Sequence, residues 1–172
     1  MKPGVTLYFV RHGETDWNAA ARYQGQVDIP LNDKGRGQAL QNGLTLKAKL
    51  PDVISLDYIA SPLGRTRETM AIIRRTIGLP GEGVHFDDRL REMNYGHWEG
   101  QLAADLPNTD PEGVAERARN WWHWRPLGGE SYEDLTVRIA GWLDTIERDS
   151  IVVSHGGVSR ALRGAVVPVP RE

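Results

Sequence analysis

The stretch "LYFVRHGETDWN", residues 7–18, runs four apolar residues straight into Arg11, His12, Gly13 and Glu14. A short unbroken apolar run bounded by glycine fits a strand covered on both faces, as in parallel sheets. In open α/β sheets, ligands sit beyond the carboxyl ends of strands, so two cationic-capable side chains at that end mark a candidate anion site. The pattern recurs downstream. "LDYIAS" at 56–61 leads towards Arg65, and "SIVVSH" at 150–155 ends on His155, Gly156 and Gly157. With "VHFDD" at 84–88, the expected strands cover 5–10, 56–61, 84–88 and 150–155.

Helical signals lie between these runs. Asn32 is placed to cap a helix reaching about Leu50, with Leu40, Leu44 and Ala48 at four-residue steps. Ser61 and Pro62 signal a second start, and Gly78 with Pro80 ends that helix near Ile77. "SYED", Ser131 to Asp134, approximates a capping box that sets Leu135, Ile139, Trp142 and Ile146 on one face. The stretch 106–129 reads as part helix and part loop. Strand alternating with helix implies an α/β protein: a three-layer α/β/α sandwich around a mostly parallel sheet, its reactive strand ends converging on one edge.

Composition narrows the function classes. The 172 residues suit one domain, 1–172. A net charge of -2 with no basic stripe argues against nucleic acid as a partner. With no cysteine, disulfides, thiolate catalysis and thiolate metal sites are excluded, which fits a reducing cytoplasm. The N-terminus meets Arg11 before any cleavage signal, and no apolar run is of membrane-spanning length, so a soluble, unexported protein is expected. His85, His97 and His123 show no ligand spacing, and no metal or other cofactor is expected.

Each candidate residue has an ordinary reading. A histidine at a strand end is usually a turn residue, an arginine in the first turns of a helix is usually solvated, and Glu92 would pair with Arg89 or Arg91. Their combination is more informative. "RHGETDWN" (11–18), "YQGQVDIPLNDKGRGQA" (23–39), "ASPLGRTRET" (60–69), "LREMNYGHWEG" (90–100), "LGGES" (127–131) and "VVSHGG" (152–157) together resemble the histidine phosphatase superfamily, in its phosphoglycerate mutase-like branch. The six blocks occur in the family's order and cover nearly the whole chain.

The resemblance implies a phosphoglycerate mutase-like fold and a metal-independent phosphomonoester hydrolase acting on a small phosphorylated metabolite. His12 matches the family's nucleophile, which forms a phosphohistidine that water hydrolyses. Arg11 and Arg65 match the phosphate-clamping arginines, His155 the second histidine and Glu92 the acid/base glutamate. Asn18 and Gln24 match positions lining the phosphate pocket, and Thr15 is a candidate hydroxyl donor there.

The residue types suit that chemistry. Histidine carries a covalent intermediate when its attacking nitrogen is neutral and in line with the leaving oxygen. Unaided phosphate monoester hydrolysis is so slow that a site must lower the barrier by on the order of 20 kcal/mol or more. Without a metal motif, the charge is expected from arginines and a protonated histidine. Gly13 is expected to allow a sharp turn that brings its N–H near an oxyanion, and Glu14 to orient His12 or an arginine, unless it forms a stabilising salt bridge instead. Arg67, two positions past Arg65, is expected to face elsewhere.

As the resemblance has it, mutases carry a longer insertion with a lysine and adjacent arginines that hold a substrate carboxylate. Here the segment after "NYGHWEG" is short, lacks lysine, and separates Arg117 from Arg119. A phosphatase of the small, α-ribazole phosphatase-like kind is therefore the first reading. A phosphoglycerate-type mutase and a non-catalytic phospholigand-binding module are the alternatives. Trp121, Trp122 and Trp124 fit either a substrate lid or, for two of them, a helix packed on the sheet. The oligomeric state is open, with a homodimer allowed. The family pattern continues past the second histidine through a helix and a final strand, whereas this sequence stops at Glu172. Either a trimmed domain or residues missing near Ala165 and Val166 is expected, and the departure bears on the last strand and pocket closure.

Overall fold

The four apolar runs become four parallel strands in the computed structural model, which describes residues 1–166. β1 (Leu7–Arg11), β2 (Asp57–Ala60), β3 (His85–Phe86) and β4 (Ser150–Ser154) lie side by side in the order β1-β4-β2-β3. Among the described residues the helices are α1 (Asp16–Ala19), α2 (Asp33–Lys49), α3 (Gly64–Ile77), α4 (Leu106–Thr109), α5 (Pro111–Arg119), α6 (Tyr132–Leu143) and α7 (Gly156–Val166). None is long and apolar enough to cross a membrane.

Register brings the strand ends level. Arg11 lies opposite Ser154, and Ala60 opposite Val153. Pairing then continues one residue further: the His12 amide donates to the Ser154 carbonyl (3.0 Å), and the Ser61 amide to the Val153 carbonyl (3.1 Å). The carboxyl ends of β1, β2 and β4 therefore share one edge of the sheet. β3 is shorter than the 84–88 run, and both its residues are exposed, because an edge strand has only one neighbour to pair with.

Alternate side chains of a strand point to opposite faces, and β4 uses both. Ile151 and Val153 join Tyr58 and Ala60 against Met70, Ile73 and Ile77 of α3. Val152 and Ile59 face the other layer, where Leu135, Ile139 and Trp142 of α6 meet Val158 and Ala161 of α7. The result is a parallel sheet flanked by helices on both faces. α6 opens with the capping box, Ser131 accepting from the Asp134 amide and the Asp134 carboxylate accepting from that of Ser131.

Two helix readings change. α2 buries Gly35, Ala39 and Gly43, while Leu40 and Leu44 stay about half exposed. The small residues, also at four-residue steps, let α2 approach closely: a Cβ at Gly43 would collide with Thr76 of α3. α3 begins at Gly64 rather than at Pro62, while its end at Ile77 before a left-handed Gly78 is as expected. In the 106–129 stretch, Trp122 and Trp124 are buried and Trp121 is partly exposed. The end of the chain, where the family pattern and this sequence part, lies outside the described residues.

Candidate active site

β1 delivers Arg11 and His12 to the shared edge. The Nδ1 of His12 lies 2.7 Å from the Gly13 carbonyl oxygen, so Nδ1 carries the hydrogen and donates it. Nε2 keeps its lone pair. Burial is the main force lowering the His12 pKa from 6.5 to about 3; the Arg65 and Arg11 charges lower it further, and the Gly13 bond opposes them. The imidazole is therefore neutral at physiological pH.

Gly13 serves a purpose other than the one expected. Its backbone is not left-handed, but a Cβ there would run into the backbone of Gly35 in α2. Its amide donates to Thr69 Oγ1 (3.1 Å) rather than facing the cavity. Close approach of β1's end to α2 is what requires glycine.

β4 delivers His155, which is fully buried and meets His12 edge-on, with ring centroids 5.1 Å apart. Its Nε2 is 2.8 Å from Ser61 Oγ at the end of β2, and its Nδ1 is buried without a hydrogen-bond partner among the described residues. Burial first, then the charge of Arg65, holds its pKa well below 6.5. The expected protonated histidine is thus a neutral one in this arrangement, and the positive charge belongs to the arginines.

Arg65, in the first turn of α3, is completely buried. Its terminal nitrogens donate to the carbonyls of Val27 (2.8 Å) and Gly25 (2.7 Å), while Nε has no partner among the described residues. Burial lowers its pKa to about 10, opposed by Glu92, so it remains a cation at neutral pH. The Arg11 guanidinium lies against Gly156 at the start of α7. Arg67 turns away, with its guanidinium 4.0 Å over the Phe86 ring.

Glu92 is not paired with a neighbouring arginine, because Arg89 binds Asp87 and Arg91 binds Asp88. Its carboxylate accepts from the Met93 amide (2.8 Å) and from the Gly157 amide (3.1 Å), which pins it to the start of α7. A cavity of about 160 Å³ is lined by Arg11, His12, Arg65 and Glu92 together with Asn18 and Gln24. Thr15 does not reach it: fully buried, its hydroxyl accepts from the Asn18 amide to cap α1 and bonds Gln24. Glu14 binds Lys34 Nζ (2.9 Å) and Asn32, not His12 or an arginine, so its part is the salt bridge.

Five wall residues escaped the sequence reading: Arg22, Tyr23, Gly25, Tyr95 and Arg160. Tyr23 adjoins Gln24, and Arg160 stands three and four positions past Gly157 and Gly156 on α7. That helical spacing is the signal that could have found Arg160. A second cavity of about 550 Å³ shares Tyr23 and Arg160 and is walled by Trp98, Trp121, Tyr132 and Arg117. A cavity lined by arginines thus shares two wall residues with a larger aromatic one.

This arrangement has known counterparts. Residues 7–172 match the model of the histidine phosphatase superfamily (branch 1). The chain is 33% identical over 177 residues to a glucosyl-3-phosphoglycerate phosphatase of Mycobacterium tuberculosis, covering 95% of this chain and 76% of that protein. It is 35% identical over 172 residues to a probable phosphoglycerate mutase, GpmB, of Salmonella paratyphi A, with 96% and 76% covered. The structure of an α-ribazole phosphatase from Shigella flexneri superposes with a TM-score of 0.81 at 29% identity, covering 96% of this chain and 81% of that one. With its motifs in order and its fold shared, the chain belongs to branch 1 of the histidine phosphatase superfamily.

Proposed function

We propose that this protein hydrolyses phosphate monoesters of small metabolites through a phosphohistidine on His12. The observation that carries the reading is the neutral His12 imidazole, fixed by its bond to Gly13, in a cavity walled by Arg11 and Arg65. Nε2 attacks phosphorus as the ester P–O bond breaks, and the departing alkoxide takes a proton from Glu92. Water then attacks the phosphoryl group, giving a proton back to Glu92. The P–N bond breaks, Nε2 regains its lone pair, and inorganic phosphate leaves.

Arg11 and Arg65 stabilise the charge on the equatorial oxygens, as preorganised donors that need no rearrangement. His155 does not line the cavity, but a phosphoryl dianion bound at His12, whose ring meets that of His155, raises the affinity of the buried ring for a proton, so substrate itself favours the cationic form. Asn18 and Gln24 hold the phosphoryl group from the α1 side. The aromatic cavity beyond Tyr23 and Arg160 receives the alcohol portion, which fits relatives named for glucosyl-3-phosphoglycerate and α-ribazole phosphate.

In excess chelator, purified protein should release nitrophenol from 4-nitrophenyl phosphate, and His12→Ala should abolish that release. Equal rates for the two proteins overturn the proposal. Because one relative is a probable phosphoglycerate mutase, a phosphoglycerate should also be supplied. Inorganic phosphate as the product supports hydrolysis, whereas the isomeric phosphoglycerate supports transfer back to substrate.

A further inference from the structure

The "LGGES" block, 127–131, adds no residue to the phosphate cavity, yet it grips the segment that carries Glu92. The Asn94 amide donates to Glu130 Oε2 (2.9 Å), and the Glu130 amide donates back to the Asn94 carbonyl (2.8 Å). The His97 amide donates to the Leu127 carbonyl (3.0 Å). Glu130 also forms an ion pair with Arg138 of α6 (2.9 Å), both side chains being about one-fifth exposed. Arg138 reaches the same segment from the other end. Its Nη1 donates to the carbonyls of Arg89 (2.5 Å) and Arg91 (3.0 Å), and its Nη2 lies 3.5 Å from that of Glu92.

We infer that Glu130 and Arg138 are a positioning pair that holds the 89–94 segment so that the Glu92 carboxyl faces the leaving oxygen. Among the described residues the Glu92 carboxylate accepts from two backbone amides, one of them its own neighbour's. The rest of its restraint comes through the main chain, where the Glu92 carbonyl accepts from Gln26 Nε2 (3.1 Å) and the flanking residues are held by Arg138 and Glu130. Arg138 binds carbonyls at and before Glu92, and Glu130 binds the amide two residues after it. One planar guanidinium with fixed donor directions therefore connects both flanks. A shift of about 1 Å in such a group costs up to about a hundredfold in rate.

This inference rests on Glu92 being the proton donor, and leaving-group dependence tests both separately. A phenol such as nitrophenol departs without a proton, whereas a simple alkyl alcohol needs one. The kcat/KM values for glycerol phosphate and 4-nitrophenyl phosphate, which report departure of the alcohol and not the later hydrolysis of the phosphohistidine that both esters share, are to be measured for wild type, Arg138→Gln, Arg138→Lys, Glu130→Gln and Glu92→Gln, with thermal midpoints recorded for each.

Arg138→Gln should lose about tenfold to a hundredfold on the alkyl ester and several times less on the aryl ester, mirroring Glu92→Gln. Arg138→Lys, which keeps the charge and loses the fork, should fall between. In the Glu92→Gln background, Arg138→Gln should cost nothing further on the alkyl ester. Equal losses on both esters, or additive losses in the double variant, overturn the inference. If Arg138→Gln does not fold, Glu130→Gln and Arg138→Lys are decided by the same ratio. If Glu92→Gln itself shows no leaving-group dependence, the acid assignment fails instead.

Discussion

Ser61 and His155 directly follow neighbouring strands and stand ninety-four positions apart in the chain, and their side chains meet at 2.8 Å. The contact ties the end of β2 to the end of β4, next to the ring that meets His12 edge-on. Since Ser61 is fully buried, nothing outside the protein can replace the bond. Ser61→Ala should leave the His155 Nε2 without a partner, costing about 1–3 kcal/mol of stability. Urea unfolding of the two proteins measures this, and an unchanged midpoint would show that the bond is not formed.

Acid should destabilise the protein earlier than its carboxylates alone require. Above pH 6.5 His12 is neutral both folded and unfolded, so it contributes no slope. Below that, the unfolded chain takes up a proton that the folded one refuses until about pH 3. Stability should therefore fall as pH drops, by about 1.4 kcal/mol per pH unit from this ring, and His155 adds to it with the same sign. Unfolding midpoints between pH 7.5 and 5 should be flatter for His12→Asn than for wild type, and parallel curves refute the burial of a neutral ring.

Gly157→Ala should damage catalysis more than folding. A Cβ there would enter the space of the Glu92 carboxylate, which must move away from the start of α7. Loss of position by a proton donor predicts a kcat reduced by about tenfold to a hundredfold on alkyl esters. The accompanying change in thermal midpoint should be small, and circular dichroism with steady-state kinetics on one preparation separates the two effects.

Gly35→Ala should do the reverse. Its Cβ would collide with the backbone of Glu14, forcing α2 away from the end of β1. A backbone collision of this kind is expected to cost about 1–3 kcal/mol. Unchanged stability would mean that the two segments are not in close contact.

Thr15→Ala removes a cap and should cost about 0.5–2 kcal/mol. Because the Thr15 hydroxyl also bonds Gln24, KM for an aryl phosphate should rise with little change in kcat. A lowered kcat at constant KM would instead place Thr15 at the reacting atoms.

What the sequence made readable is what local chemistry controls. The apolar runs that end on Arg11, Ser61 and His155 mark their own strands, and parallel pairing carries those ends to one edge. The cap at Asn32, the capping box at Ser131 and the stop at Gly78 are equally local. The buried face of α2 was misjudged because Gly35, Ala39 and Gly43 pack by closeness, which hydrophobicity does not register. Gly13, Glu14 and Thr15 were given site roles because they adjoin His12 in sequence, whereas each answers to a partner from another segment: Gly35, Lys34 and Gln24. Arg22 and Tyr95 come from separate segments that no one-dimensional pattern unites, whereas Arg160 was within reach through its spacing from Gly156 and Gly157.

The strand order has a temporal consequence. β4 is the last of the described strands to be made, yet it lies between β1 and β2, so until it emerges the chain holds two strands with no centre to join them. A chain without β4 cannot pair the two imidazoles, and the site is complete only when that segment slides into its slot. Such long-range closure slows maturation, and it leaves the nascent β1 and β2 edges for chaperones to guard.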